Sequence, residues 1–229
     1  MQKVYDELND KGIVVGRSKV QKIMHTYGIK AQIKSKYKPQ TTKADPNEIA
    51  FDNLLDQNFD VQEFNKVWLA DLTYIRVGGK WCYLAAVLDL ARRKIVGWAL
   101  GNRPTAKLAC KALIMAIARE RPMPGVLHHS DRGSQYTSKD YRELLEKHKM
   151  LGSMSRKANP YDNAPIESFF KLLKGEHVYK RSFATLEQAA YSLQKWFEYY
   201  NCRRRHSSLG GISPLLFEIR RNHPFGLSA

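Results

Sequence analysis

After Lys66 the apolar positions gather into three closely spaced runs, VWLADLTYIRV, WCYLAAVLDLA and KIVGWALG, separated by Gly78-Gly79-Lys80 and by Arg92-Arg93. β-Branched and aromatic runs broken by turn residues predict three consecutive antiparallel strands. The period then lengthens. Leu108, Ala109, Ala112, Leu113, Ala116 and Ile117 recur at helical spacing between Thr105 and Arg119, which predicts an amphipathic helix. Val126 to Ser130, behind Pro124-Gly125, predicts a buried strand. A helix over about 138–148, a short strand over about 150–154, a polar loop and a helix over about 162–175 follow. A last long helix, about 185–200, stacks Leu186, Ala189, Leu193, Trp196, Phe197 and Tyr200 as a core stripe. Three strands, then helix, strand, helix, strand and helix make a mixed α/β order.

Ahead of this lie two short predicted helices, 3–9 and 18–27, with Ser18 as an N-cap and Gly28 as the stop. Val20, Ile23, Met24 and Tyr27 share one face, and Arg17, Lys19 and Lys22 lie outside it. Residues 1–30 thus read either as a helix-turn-helix-like DNA-binding segment or as a basic helical pair packed on another element. Residues 31–48 are polar, basic and hold two prolines, the composition of a linker. The remaining division is a core over 49–215 and a tail over 216–229.

Charge adds a partner to this picture. Lys and Arg number 38 against 22 Asp and Glu in 229 residues, a formal charge of +16. Only 46–66 is acidic, so nearly the whole chain can face a polyanion, with nucleic acid the first choice. A hydrophobic share of 43% and an aromatic share of 11% exclude a disordered basic tail. The longest unbroken apolar run, Trp81 to Leu88, is eight residues, against the ~18 or more needed to span a bilayer. With no secretory signal pattern in the first thirty residues and three widely spaced cysteines, the expectation is a cytoplasmic protein with reduced thiols and no membrane partner. Cys202 and His206 have the spacing of half a zinc site, but no second pair completes it.

Three acids stand out. Asp71 sits inside the first apolar run, where an unpaired buried carboxylate would cost several kcal/mol, so it calls for a metal ion or a hydrogen-bonding or cationic partner. Asp131 follows the apolar strand VLHHS, at the end where open α/β sheets place ligands. Glu167 opens a helix on which Lys171 and Lys174 follow at i+4 and i+7 on one face. Three carboxylates make an oxygen site suited to Mg²⁺ or Mn²⁺ rather than zinc, and two such ions suit an in-line phosphodiester displacement. The lysines read as DNA-backbone contacts or as a solvated helix face. Asp89 reads as structural or as a partner to the site, and His128 and His129 as core residues.

The words around these acids occur in one order: W-x2-D-x-T-Y from Trp68, H-S-D-R-G-S-Q-Y from His129, S-M-S-R from Ser153, D-N-A-x2-E-S-F-F-K-x-L-K from Asp162 and Y-N-x2-R-x2-H-x2-L from Tyr200. Together they resemble the OrfB-type insertion-sequence transposases, bacterial relatives of retroviral integrases in the DDE superfamily. The resemblance runs from the two-helix segment to Ser213-Pro214. It implies an RNase H-like mixed five-stranded sheet with flanking helices, preceded by the small helical segment. It further implies that Asp71, Asp131 and Glu167 are the catalytic, metal-binding acids, with two Mg²⁺ or Mn²⁺ ions. Lys174 would contact the transposon end, and Gln135, Tyr136, Arg156 and Asn163 would be auxiliary DNA contacts. The expected activity is strand cleavage and strand transfer at terminal inverted repeats, by a homo-oligomer on DNA. A chain that starts close to the helical segment leaves room for an upstream-reading-frame protein or fusion to supply a further DNA-binding domain. Two alternatives stay open: an RNase H-like nuclease without joining activity, and a non-catalytic or truncated DNA-binding protein from a decayed element.

Overall fold

The computed structural model describes residues 1–30, 50–157 and 159–222; the linker assigned to 31–48 lies outside them. Five strands form one mixed sheet in the order β3-β2-β1-β4-β5. β1 (Val67–Val77), β2 (Lys80–Asp89) and β3 (Lys94–Gly101) are the three apolar runs, and they pair antiparallel as the turn residues require. β4 (Leu127–Ser130) lies parallel to β1, and β5 (Leu151–Met154) parallel to β4.

Helices cover both faces because each strand is apolar on both. α3 (Ala106–Glu120) and α5 (Lys139–Lys147) bury one face with Trp68, Ala70, Leu72, Val87 and Val96. α6 (Ala164–Glu176) and α7 (Leu186–Cys202) bury the other with Leu69, Ile75, Val77, Leu84 and Leu88. Helix starts follow the polar residues ahead of the apolar stripes. Thr105, Ser138 and Thr185 each accept a backbone N–H from the first turn of α3, α5 and α7. α3 sits so close to β3 that a Cβ on Gly97 would fall 2.2 Å from the carbonyl oxygen of Ala112. Only glycine permits that approach.

The N-terminal pair is α1 (Gln2–Asp10) and α2 (Arg17–Thr26). α2 starts one residue before the expected Ser18, with Gly16 as its N-cap and no side-chain bond. Of its expected apolar face Val20 is buried, while Ile23 and Tyr27 are exposed. α1 is tied to the far end of the chain by ion pairs from Arg205 to Glu7 and Asp10.

The expected tail over 216–229 begins instead inside a helix, α8 (Pro214–Asn222), with 223–229 outside the described residues. The reason is a buried charge. Arg92 is 1% exposed, bonds Asp89 on β2, Glu120 on α3 and Glu218 on α8, and Lys94 joins the two glutamates. A buried guanidinium needs such partners, and Glu218 supplies one only if its segment folds back as a helix. Asp89, fully buried, also accepts the backbone N–H groups of Asn65 and Arg92; it is structural, as expected. Among the described residues no helix is long and apolar enough to cross a membrane.

Candidate active site

β4 pairs with β1 only as far as Leu69, opposite His129. Continuing that register by two residues sets Asp71 level with Asp131, on strands ~4.8 Å apart. The ladder stops two residues short of both acids, and their closeness shows in the charge of Asp131 acting on Asp71. Asp131 follows the last residue of β4, and its carboxylate accepts the Gly133 N–H at 3.0 Å. Asp71 accepts the N–H of Leu72 at 2.7 Å.

Where β4 stops, α6 takes over. Asn163, just ahead of the helix, donates its side-chain amide to the Ala70 carbonyl at 3.2 Å, one residue short of Asp71. Ile166, Phe169, Phe170 and Leu173 bury the apolar stripe of α6, which leaves Glu167 on the half-buried side of the first turn. Two turns on, Lys174 Nζ lies 3.7 Å from the ring centroid of Tyr74 on β1, a cation–π contact. Lys171, between them, is exposed.

Electrostatics ties these groups into one site. Burial raises the Asp71 carboxyl well above the usual carboxylate range. The neighbouring charges of Asp131 and Glu167 raise it further, while the Leu72 amide and Lys174 pull it down. Burial likewise raises Asp131, opposed by the Gly133 amide. Asp71, Asp131, Glu167 and Lys174 thus act on one another, and the anionic form of Asp71 is held at a cost a further cation would relieve. Among the described residues no three His, Cys, Asp or Glu side chains stand together as a ready metal-ligand set. The donors suit a hard cation through their oxygens; the nearby nitrogens are otherwise engaged. His128 bonds the Tyr141 hydroxyl at 3.0 Å, and His129 bonds Ser153 and Ser155 at 2.8 and 3.2 Å. Burial lowers these histidines to about 3 and about 4, and both are core residues.

The four expected auxiliary DNA contacts face the protein rather than solvent, or are already bonded to it. Gln135 is buried and donates to the Pro104 carbonyl at 2.7 Å. Tyr136 is buried among the core residues, its hydroxyl without a partner among the described residues and close enough to feel the charges of Asp71 and Asp131. Asn163 is spent on Ala70, and Arg156 on Asp162 and Asp56. Gln135, Tyr136 and Asn163 are buried, whereas Arg156 keeps about half of its side chain in solvent. Arg17, Lys19 and Lys22 are exposed on α2. Cys202 is exposed, and His206 packs against Tyr200 with ring centroids 4.7 Å apart, in no ligand set.

One residue of this site escaped the sequence reading. Asp162, fully buried, accepts from Asn53, Gln57, Asn159 and three N–H groups of Arg156. These donors hold its carboxyl far below the usual range, the Arg156 side chain foremost. The hub fixes the loop that delivers α6 and Glu167. Asp162 opens the D-N-A-x2-E word, but as an acid just ahead of a helix it reads locally like any N-terminal helix acid, so the sequence alone does not mark it as a hub.

The five-stranded mixed sheet, with a carboxylate on its central strand level with one at the end of the parallel neighbour, is the integrase catalytic-core fold. A chain of the simian T-cell lymphotropic virus intasome matches with a TM-score of 0.58 at 15% identity, over 89% of this chain and 66% of that one. The HTLV-2 integrase catalytic core domain in complex with magnesium matches at 0.53 and 14%, over 67% of this chain and 95% of that one. The integrase core domain family matches residues 62–160, and a second family of that description matches 148–214.

Sequence narrows the class. The transposase for insertion sequence element IS904 of Lactococcus lactis subsp. lactis (strain IL1403) is 41% identical over 92% of this chain and 83% of its own length. Transposase InsF for insertion sequence IS3A of Escherichia coli (strain K12) is 40% identical over 93% and 74%. An insertion element IS600 protein of Shigella sonnei is 42% identical over 94% and 79%. The chain belongs to the insertion-sequence transposases that carry an integrase core domain.

Proposed function

We propose that this transposase cuts a DNA strand at the ends of its insertion sequence and joins the freed 3′-hydroxyl to a second phosphodiester, with Asp71, Asp131 and Glu167 as its catalytic acids. The observation that supports this is the parallel β1–β4 pairing that ends two residues before both Asp71 and Asp131, with the helix of Glu167 fastened to β1 at Ala70. The three carboxylates would hold Mg²⁺ or Mn²⁺, as one ion or two. When bound, such an ion supplies an acidified nucleophile and takes up charge on the leaving oxygen. The magnesium complex of the HTLV-2 core domain supports that choice of cation.

In cleavage a water oxygen attacks the scissile phosphorus. The P–O3′ bond breaks, and the departing oxygen takes a proton to become the 3′-hydroxyl. In joining, that hydroxyl is the nucleophile and the strand it attacks yields the new leaving oxygen. Lys174 and Lys171 lie on the face of α6 that carries Glu167 and neutralise the phosphates beside the reacting one. Lys174 also tempers the repulsion among the acids. Arg17, Lys19 and Lys22 give residues 1–30 the character of a DNA-binding segment ahead of the core at 49–215. DNA ends and target DNA are the partners, the working form is a homo-oligomer on DNA in the bacterial cytoplasm, and an upstream-frame protein or fusion joins it where a further DNA-binding domain is needed.

The test is cleavage and end-joining of a labelled duplex carrying the element's own end, in Mg²⁺, Mn²⁺ or EDTA, by wild type and by Asp71→Asn, Asp131→Asn and Glu167→Gln. Metal-dependent joining that disappears in all three variants is expected. Wild-type cleavage by any of them removes that residue from the site, and cleavage without joining makes the protein a nuclease.

A further inference from the structure

The hairpin of β1 and β2 carries an exposed aromatic surrounded by cations that the strand-transfer chemistry does not use. Trp81, at the start of β2, is 43% exposed. The other three tryptophans are not: Trp68 is fully buried, Trp196 nearly so, and Trp98 packs on Phe197. The register sets Trp81 opposite Arg76, whose guanidinium lies 5.4 Å from its ring centroid. Tyr74 meets Trp81 edge to face at 5.0 Å, and Lys174 covers Tyr74 in turn. Tyr74, Arg76 and Trp81 share the sheet face opposite to Asp71, and Lys174, from α6 on the acids' side, joins them at Tyr74.

The platform is held rigidly. Gly78 in the turn has φ of +54° and donates its N–H to the Phe183 carbonyl at 2.8 Å, and a Cβ there would lie 2.8 Å from the Ala184 carbonyl oxygen. A large exposed indole on a fixed turn, with exposed Arg76 and Lys80 beside it, has the make-up of single-strand binding surfaces. In those, bases stack on aromatic rings while cations follow the backbone. We propose that Trp81 is a stacking platform for an unpaired base of the DNA end being processed, with Arg76 and Lys80 holding the adjoining phosphates. This rests on the reading of Asp71, Asp131 and Glu167 as the reaction centre. Arg76 lies five residues from Asp71 along β1, about 17 Å at strand rise. An odd step of five sets Arg76 and Asp71 on opposite faces, so the DNA strand crosses the β1 edge that β4 leaves unpaired beyond Leu69 and spans at least about five nucleotides at ~3.4 Å each.

The experiment titrates the full chain, in EDTA so that no strand is cut, with a blunt duplex and with the same duplex bearing an unpaired 3′ tail. Tryptophan emission and the anisotropy of a labelled strand are both read. The tailed duplex is expected to quench the emission and the blunt one to leave it nearly unchanged. Trp81→Ala should lose the quenching and bind the tailed duplex about tenfold more weakly, with blunt-duplex affinity within about twofold, while Trp81→Phe keeps most of the tailed affinity. Saturating binding of the tailed duplex by wild type with no quenching overturns the proposal without need of a variant. So does a folded Trp81→Ala that distinguishes the two duplexes as wild type does. Binding of neither duplex by wild type overturns the underlying DNA reading as well.

Discussion

Replacing Asp162 by asparagine changes one atom and should cost far more than a surface substitution. Oδ1 accepts from Gln57, Asn159 and Arg156 Nη2, and Oδ2 from Asn53 and from the backbone N–H and Nε of Arg156. Either orientation of an asparagine therefore turns an NH₂ group toward three donors. Hydrogen bonds to charged groups contribute about 1.5–3 kcal/mol each and a stranded buried donor costs about 1–3. Arg156 is half-exposed and can recover water, so the expected loss is about 3 kcal/mol rather than the full sum. The sign with pH is fixed by the lowered carboxyl. The stabilisation is complete above the unfolded value near 3.9 and is lost as pH falls below it toward the folded value. Urea unfolding followed by tryptophan emission should show the ~3 kcal/mol deficit at pH 7 and a shrinking deficit from pH 4 to 3. A deficit under about 1 kcal/mol at pH 7, or one unchanged at pH 3, would refute the hub. Because the loop leads into α6, Asp162→Asn should also slow end cleavage at temperatures where it remains folded.

Gly97→Ala must separate α3 from β3 to clear the Ala112 carbonyl, and calorimetry should find it destabilised by about 2 kcal/mol or more; an unchanged melting temperature would contradict the packing. Tyr136→Phe removes a buried hydroxyl that has no partner among the described residues, so the melting temperature should hold or rise, by up to about 1 kcal/mol in stability. A clear loss would mean the hydroxyl is bonded. Buried His128 sits lowered to about 3, and buried His129, His177 and His206 to about 4. The unfolded chain therefore binds protons first, and stability should fall between pH 6.5 and 4 by up to about 1.4 kcal/mol per unit for each. The raised Asp71 and Asp131 act in the opposite sense over the same range, so the slope is read as the difference between wild type and His177→Gln; equal slopes would show that His177 is not buried neutral.

The sheet was legible because its signals are local. The Gly78-Gly79 turn and the Arg92-Arg93 break separate runs whose apolar content leaves no other arrangement, and Thr105 and Ser138 mark the helices that follow. The positions of the acids were legible through the words around them: Asp71 stands inside an apolar strand and Asp131 directly after one, where a carboxylate must answer for itself. What stayed hidden depends on partners distant in sequence. Nothing near Glu218 announces that Arg92, 126 residues earlier, needs it, so α8 reads as a tail. Gln135 and Tyr136 look like ligands for DNA by residue type, and only the packing of α4 (Ser134–Thr137) shows that they are buried. Asp162 is the same case: its role lies in donors gathered from residues 53, 57, 156 and 159.

The unequal lengths of β1 and β4 divide the labour among the three acids. Asp71 and Asp131 each follow, two residues on, the last pair of the β1–β4 ladder, which sets the strands that carry them. Glu167 is indexed by side chains alone, through Asn163 on the strand edge and Asp162 in its loop. On the proposed assignment, two acids thus sit at strand ends and the third on a helix. A slide of α6 by one helical turn would carry Glu167 ~5.4 Å while the pair stood still. In such an arrangement the helix sets when the site is assembled, and on the proposed reading DNA held by Lys171 and Lys174 would pull on that same helix.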